Sequence, residues 1–87
     1  MNKYSEEELR EIILNIKMYR VYSTNLVALG YSEEYKILRV IFKGNTSYAY
    51  FNVEPEIWSL LNNSESKGKT LSESVVRQKE KYKYIKL

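Results

Sequence analysis

The side chains best placed to do chemistry in this 87-residue chain are two phenols, Tyr48 and Tyr50, and a set of cations that comes after them. In Thr46-Ser-Tyr-Ala-Tyr-Phe-Asn-Val53 a period of two puts Tyr48, Tyr50 and Asn52 on one strand face and Ser47, Ala49, Phe51 and Val53 on the other. Ala49, Phe51 and Val53 read as the core side. The phenols are then left to project toward a partner or to cover a second, smaller core. Paired rings on a small sheet beside basic side chains are how several single-stranded RNA modules work, each stacked base contributing about 1–3 kcal/mol. The competing reading packs Tyr48 and Tyr50 beneath an N-terminal helix with their hydroxyls at the rim.

The cations come late in the chain. Residues 1–20 hold four Lys or Arg and four Glu, residues 21–66 hold three and five, and residues 67–87 hold seven and two, so the net +3 belongs to the last quarter. Ser66-Lys67-Gly68-Lys69 reads as a turn entering a helix, with Thr70 and Ser72 nearby. Free N–H groups and two ammonium groups there would suit a phosphate. The motif lacks P-loop spacing, and such a turn is more often only a turn. Arg77, Lys79, Lys81, Lys83 and Lys86 interleave with Tyr82 and Tyr84, the pattern of an anion-binding edge with stacking capacity, or of a solvated tail.

Composition excludes much else. There is no His, Cys or Asp, so all eleven acidic groups are Glu. Ser-His-Asp and Cys-His catalysis, Cys or His zinc sites and the usual EF-hand loop are therefore impossible within one chain. Glu, Lys, Tyr, Ser and Arg remain, with no recognisable catalytic arrangement; an enzyme would need Glu33, Glu34 or Glu65 in a cleft with a perturbed pKa. No enzymatic activity, cofactor or metal is expected. Without disulfides, a signal-peptide pattern or an apolar run near 18 residues, the chain reads as a cytoplasmic protein not anchored to a membrane. Its small size favours a homo-oligomer.

The elements that must position these residues are read from periodicity. Residues 1–20 read as an amphipathic helix. Ser5 is its N-cap, Glu8 completes a capping box, Tyr4 is placed to staple onto Leu9, and Leu9, Ile12, Ile13, Ile16 and Tyr19 form the apolar stripe. Val21 to Tyr31 reads as a strand with an unusually polar opening, Tyr22-Ser-Thr-Asn25. Ser32-Glu-Glu34 turns into a strand over Tyr35–Lys43, with Leu38, Val40 and Phe42 on one face and Ile37, Arg39 and Ile41 on the other. Gly44-Asn45 reads as a two-residue type II′ hairpin turn into the Tyr48–Tyr50 strand. Glu54-Pro55-Glu56 starts a helix with Ile57, Leu60 and Leu61 inward and Trp58 at the edge. A short helix over Thr70–Gln78 turns Leu71 and Val75 inward, and the alternation of Lys79–Leu87 is that of a strand. The predicted class is α+β: an N-terminal helix, a three-stranded antiparallel meander, two short helices and room for a fourth, C-terminal strand.

Taken in order, Ser23-Thr-Asn25, Gly30-Tyr31, the hairpin, Tyr48-Ala-Tyr50-Phe51-Asn-Val53, a proline-started helix, Ser66-Lys-Gly68 and Tyr82-Lys-Tyr84 resemble the KTSC domain. That family is named after the C-terminus of some lysyl-tRNA synthetases and also occurs free-standing in bacteria and phages. The resemblance spans residues 20–87 and leaves 1–19 outside as a separate helix. The family usually shows Val-Pro after the Tyr strand, where Glu54 intervenes here, and an aromatic where Leu71 stands. It implies a binding surface at Tyr48, Tyr50, Ser66 and Gly68. RNA binding has been suggested for the family, and none of these is a known catalytic position.

The expectation is a non-catalytic binding module for an anionic, base-containing ligand, either RNA or a small nucleotide that it withdraws from a host pathway. Tyr48 and Tyr50 would stack, and Lys67, Lys69, Arg77, Lys81 and Lys83 would contact phosphate. The alternative is a phage-encoded inhibitor or adaptor that binds a host protein through the apolar N-terminal helix and the Tyr-rich faces.

Overall fold

A computed structural model of the chain describes residues 4–87. The first three residues of the predicted helical segment lie outside them. Ser5 caps α1 (Glu6–Leu14) through the expected box: its Oγ accepts the Glu8 N–H at 3.1 Å, and Glu8 Oε1 accepts the Ser5 N–H at 2.8 Å. Glu6, Glu7 and Glu8 complement the helix dipole in the first turn. Tyr4 meets the edge of Tyr35, centroids 5.7 Å apart, and makes a ring contact there in addition to its place beside the helix start. The helix is shorter than its apolar stripe. Asn15 ends it, and Ile16, buried from outside the helix, drops onto the sheet.

Beyond Ile16 the chain forms an edge strand that periodicity hides. β1 (Met18–Arg20) pairs antiparallel with β2 (Leu26–Ser32), then come β3 (Ile37–Phe42), β4 (Thr46–Tyr50) and β5 (Tyr84–Lys86), in the sheet order β1-β2-β3-β4-β5. The α+β class stands, and the predicted meander is the centre of a five-stranded sheet. Gly30 makes β1 possible. A Cβ there would stand 2.4 Å from the Lys17 carbonyl oxygen and 2.5 Å from Met18 Sδ, so only glycine lets the α1–β1 connection lie on β2. β2 begins at Leu26 and not Val21. A bulge between Leu26 and Ala28 then brings Leu26 and Leu29 onto one face.

The β3–β4 hairpin also differs from the expected two-residue turn. Phe42 pairs with Thr46 across a three-residue loop, and the Asn45 N–H donates to the Phe42 carbonyl at 3.1 Å. Gly44 is therefore the second central residue, at φ 91°, and Asn45 comes next at φ 68°. Both left-handed positions carry residues that tolerate them.

The sheet is covered on both faces. α1 lies on one, where Leu9, Ile13 and Ile16 pack with Ile37 and Ala49, flanked by Phe51, Ile85 and Leu87. This layer also buries Arg39 Nε and Ser47 Oγ without a hydrogen-bond partner. The other face carries the larger core: Leu26, Leu29, Leu38, Val40, Tyr50, Val53 and Tyr82 against α2 (Pro55–Asn62), α3 (Lys67–Leu71) and the π-helical turn Ser72–Val76 that continues it. Leu61, Leu71 and Val75 are the helical contributors. Leu60, expected inward, is 50% exposed. Trp58 is half-buried and stacks on Tyr31 with centroids 5.7 Å apart.

The predicted sides of β4 are thus reversed in importance. Tyr50 faces the larger core, only 5% exposed, while Ala49 and Phe51 face α1. Val53 was expected beside them but crosses to the Tyr50 side. Asn52, at φ 58°, breaks the alternation once β4 has ended.

Gly30→Ala tests the seat of β1. An alanine in a strand ordinarily gains stability over glycine, but overpacking here should lower unfolding stability by about 1–3 kcal/mol in a urea titration; a neutral or stabilised variant would contradict the close approach.

Candidate ligand-binding cleft

The residues predicted to bind a ligand fall into three places. Tyr48 and Tyr50 belong to an aromatic array along β3, β4 and β5. Tyr48 meets Phe42 edge-on at 5.8 Å and Tyr84 edge-on at 5.7 Å, and Tyr50 meets Tyr84 at 5.6 Å. Burial pushes the Tyr50 phenol pKa up, helped by Tyr48 and Tyr84. A ring only 5% exposed is not an open platform, so the stacking role expected of Tyr50 is not available in this fold. The large core took it.

Lys81 and Lys83 are on the closing segment. Lys81 Nζ lies 3.3 Å from Glu54 Oε2, and the Tyr82 hydroxyl donates to Glu54 Oε1 at 2.7 Å. Glu54 is also the residue before Pro55, so one carboxylate ties the chain's last turn to the start of α2. Tyr82 is 2% exposed. Lys83 is exposed just before β5, where its carbonyl accepts the Phe51 N–H at 2.9 Å. Neither lysine lines the cleft that holds the remaining predicted set, although Lys81 shares a separate groove with Arg77.

Ser66, Lys67, Gly68, Lys69 and Arg77 do come together. They line a cleft of about 600 Å³ whose opposite wall is Tyr22-Ser23-Thr24-Asn25, with Glu65, Ser72 and Glu73 completing it. The wall is pre-set by Ser23: its Oγ donates to Asn25 Oδ1 at 3.0 Å and accepts the Asn25 and Leu26 N–H groups at 3.2 and 3.3 Å. Gly68 lets the two walls meet, because a Cβ would stand 2.5 Å from Asn25 Oδ1 and 3.2 Å from Ser23 Oγ. The residues are not a loop before a helix, as expected. Lys67 is already helical, α3 has only five residues, and the Ser66 side chain makes no cap.

Within the cleft the cations differ in availability. Lys67 Nζ donates to the Asn62 and Ser64 carbonyls at 3.1 and 2.8 Å, capping the end of α2. It holds the floor in place. Ser64 and Thr70 share a hydrogen bond of 2.6 Å beneath it. Lys69 and Arg77 are exposed, and so are Glu65 and Glu73. At the lip stands Tyr22, 91% exposed. Arg20 lies 5.8 Å from its ring centroid. Tyr22 was not among the predicted site residues; the signal was the polar opening Tyr22-Ser-Thr-Asn25 in a segment that otherwise reads as core strand.

A family model, the KTSC domain, matches residues 22–84. The chain belongs to the KTSC domain family. The match begins at Tyr22, so both walls of the cleft are inside it while α1 and β1 lie outside. The crystal structure of a KTSC domain protein from Yersinia pestis superimposes with a TM-score of 0.73 at 21% identity, covering 83% of this chain and 97% of that one. That likeness establishes the fold. No curated protein matches the sequence. Glu54, which departs from the Val-Pro expected of a KTSC domain, is the residue that receives Tyr82 and Lys81. Among the described residues no helix is long and apolar enough to cross a membrane.

The Glu54 tie carries a pH signature. The Tyr82 hydrogen bond, the residue's own backbone amide and Lys81 hold its carboxyl below the usual carboxylate range. A depressed native pKa stabilises the fold above the unfolded value, and that contribution is lost as pH falls through the native one. The stability difference between the native chain and Glu54→Gln should thus be present at neutral pH and shrink on acidification below the carboxylate range. A difference that is flat with pH in parallel urea titrations would remove the tie.

Proposed function

We propose that this KTSC domain is a non-catalytic binding module for an anionic ligand with an unpaired base, a nucleotide or single-stranded RNA, held in the cleft between Tyr22–Asn25 and α3. The observation that carries this reading is the ring of Tyr22, open to solvent at the lip of a polar cleft that holds Lys69 and Arg77. A base stacked on that ring places its phosphate toward the two cations. Ser23, Thr24, Ser66 and Ser72 line the same space with hydroxyls suited to sugar and phosphate oxygens. Glu65 and Glu73 accept hydrogen bonds from exocyclic amines or ribose hydroxyls and keep the cleft's charge modest.

The stacking residue in this reading is Tyr22 and not Tyr48 or Tyr50. Tyr50→Ala would open the core and report on folding, whereas a side chain as exposed as Tyr22 can be removed without touching packing. The protein-binding alternative loses its main support. The apolar stripe of α1, the surface it would have used, is spent on the domain's own sheet, where Leu9, Ile13 and Ile16 are buried.

Fluorescence anisotropy with a 5′-labelled single-stranded RNA decamer tests the reading. Tyr22→Ala should weaken binding by about 1–3 kcal/mol, the worth of one stacked base, with an unchanged circular dichroism spectrum. Lys69→Ala should lower the dependence of log K on log salt by roughly 0.7. Affinity indifferent to both substitutions would overturn the site.

A further inference from the structure

Tyr22 borders two clefts and not one. On its other side Arg20, Val21, Tyr22, Ser23, Leu26, Val27 and Lys43 line a smaller space of about 260 Å³. Tyr22 and Ser23 are common to both linings. The two differ in character. The larger holds Lys67, Lys69 and Arg77 against Glu65 and Glu73, while the smaller holds Arg20 and Lys43 with no acidic residue. The fold fixes the smaller one's position. The Lys43 N–H donates to the Asn25 carbonyl at 2.9 Å, and the Val21 N–H donates to the Val27 carbonyl at 2.9 Å, so the hairpin end and the β1–β2 connection move as one piece with the Tyr22 wall.

Resting on the reading of the larger cleft as a nucleotide site, we infer that the smaller cleft is a second phosphate subsite and that the ligand is a strand with a phosphate on each side of the base stacked on Tyr22. The geometry divides the labour by size. The larger space is of the size that small-ligand sites occupy, whereas the smaller falls below that range; it has room for a phosphate beside Arg20 and Lys43, with Val21, Leu26 and Val27 as its apolar side. Arg20 is held beside the Tyr22 ring at 5.8 Å, so a phosphate bound to its guanidinium adjoins whatever stacks on the ring. A mononucleotide carrying one phosphate uses one subsite only; a phosphodiester strand uses both. The groove on the far side of Arg77, lined by Gln78, Lys79, Glu80 and Lys81, carries no such extension, since its Lys81 is paired with Glu54 and no ring borders it.

The test compares uridine 5′-monophosphate with a 5′-phosphorylated uridine trinucleotide on the full chain, by calorimetry, for the native protein and for Arg20→Ala/Lys43→Ala. Both replaced residues are exposed, and circular dichroism checks that the double variant folds. The expected result is that the native chain binds the trinucleotide about tenfold or more tightly than the monophosphate. The double variant should erase that advantage while leaving the monophosphate unchanged, and the salt slope for the trinucleotide should fall by about 0.7, the value for one lost phosphate on a single strand. Equal binding of the two ligands would overturn the second subsite and leave the larger cleft standing. A trinucleotide advantage that survives the double substitution would also overturn it, since the extra phosphate would lie elsewhere. Failure of the native chain to bind either ligand would overturn this inference together with the reading on which it rests.

Discussion

One small sheet covered on both faces is the constraint that shapes the rest of this domain. Both sides of each inner strand are covered, so β3 and β4 have no solvent face to give away, and Tyr50 and Ala49 are buried in opposite layers one residue apart. Small residues decide which layer is thin. Ala49 and Gly30 bring α1 and its connection close to the sheet, while Tyr50, Tyr82 and Leu61 fill the deeper space under α2 and α3. A ligand platform of the kind built on an open sheet face has no room here, and the polar cleft lies instead where Tyr22–Asn25 meets α3.

The abundance of tyrosine has its explanation in the same constraint. A domain of this size has few fully enclosed positions, and a ring with one polar tip suits a site whose far end reaches an acceptor. Tyr31 packs on Trp58 and donates to the Val53 carbonyl at 2.6 Å. Tyr82 fills the core and donates to Glu54. Each phenol closes an irregular stretch, the first at the left-handed break after β4 and the second at the start of α2. Tyr22 is the outlier: its ring fills nothing, and its exposure is what singles it out as the proposed stacking residue.

Much of this architecture was legible in the chain. The capping box at Ser5 and Glu8, the proline at the start of α2 and the two faces of β3 come from local rules, and each is found as read. β1 was not legible, because Ile16 and Tyr19 continue a helical spacing and only the absent Cβ of Gly30, about a dozen residues on, lets the chain after the helix lie on β2. The sidedness of β4 was hidden for a different reason. When both faces of a strand are apolar, alternation tells which residues share a face but not which face meets the larger layer. The cleft was half legible. Ser66 to Lys69 and Arg77 lie close in sequence, yet the wall they face comes from Tyr22–Asn25, about forty residues earlier, and that pairing is a property of the topology alone. The lysines differ by what their ammonium groups find, as Lys67 finds two carbonyls and Lys81 a carboxylate, and no spacing rule encodes that.

The order in which the two layers receive their parts bears on how the chain is made. α1 is synthesised well before part of its seat, which includes Ile85 and Leu87, and the larger core waits for Tyr82. At translation rates of about 5–20 residues per second, roughly 3 to 14 s separate the emergence of residue 14 from that of residue 82. For the later part of that interval the nascent chain carries α1 with Ile37 and Ala49 to lie on but without Ile85 and Leu87, and a sheet lacking β5. The segment from Tyr82 to Leu87 therefore completes both layers at once.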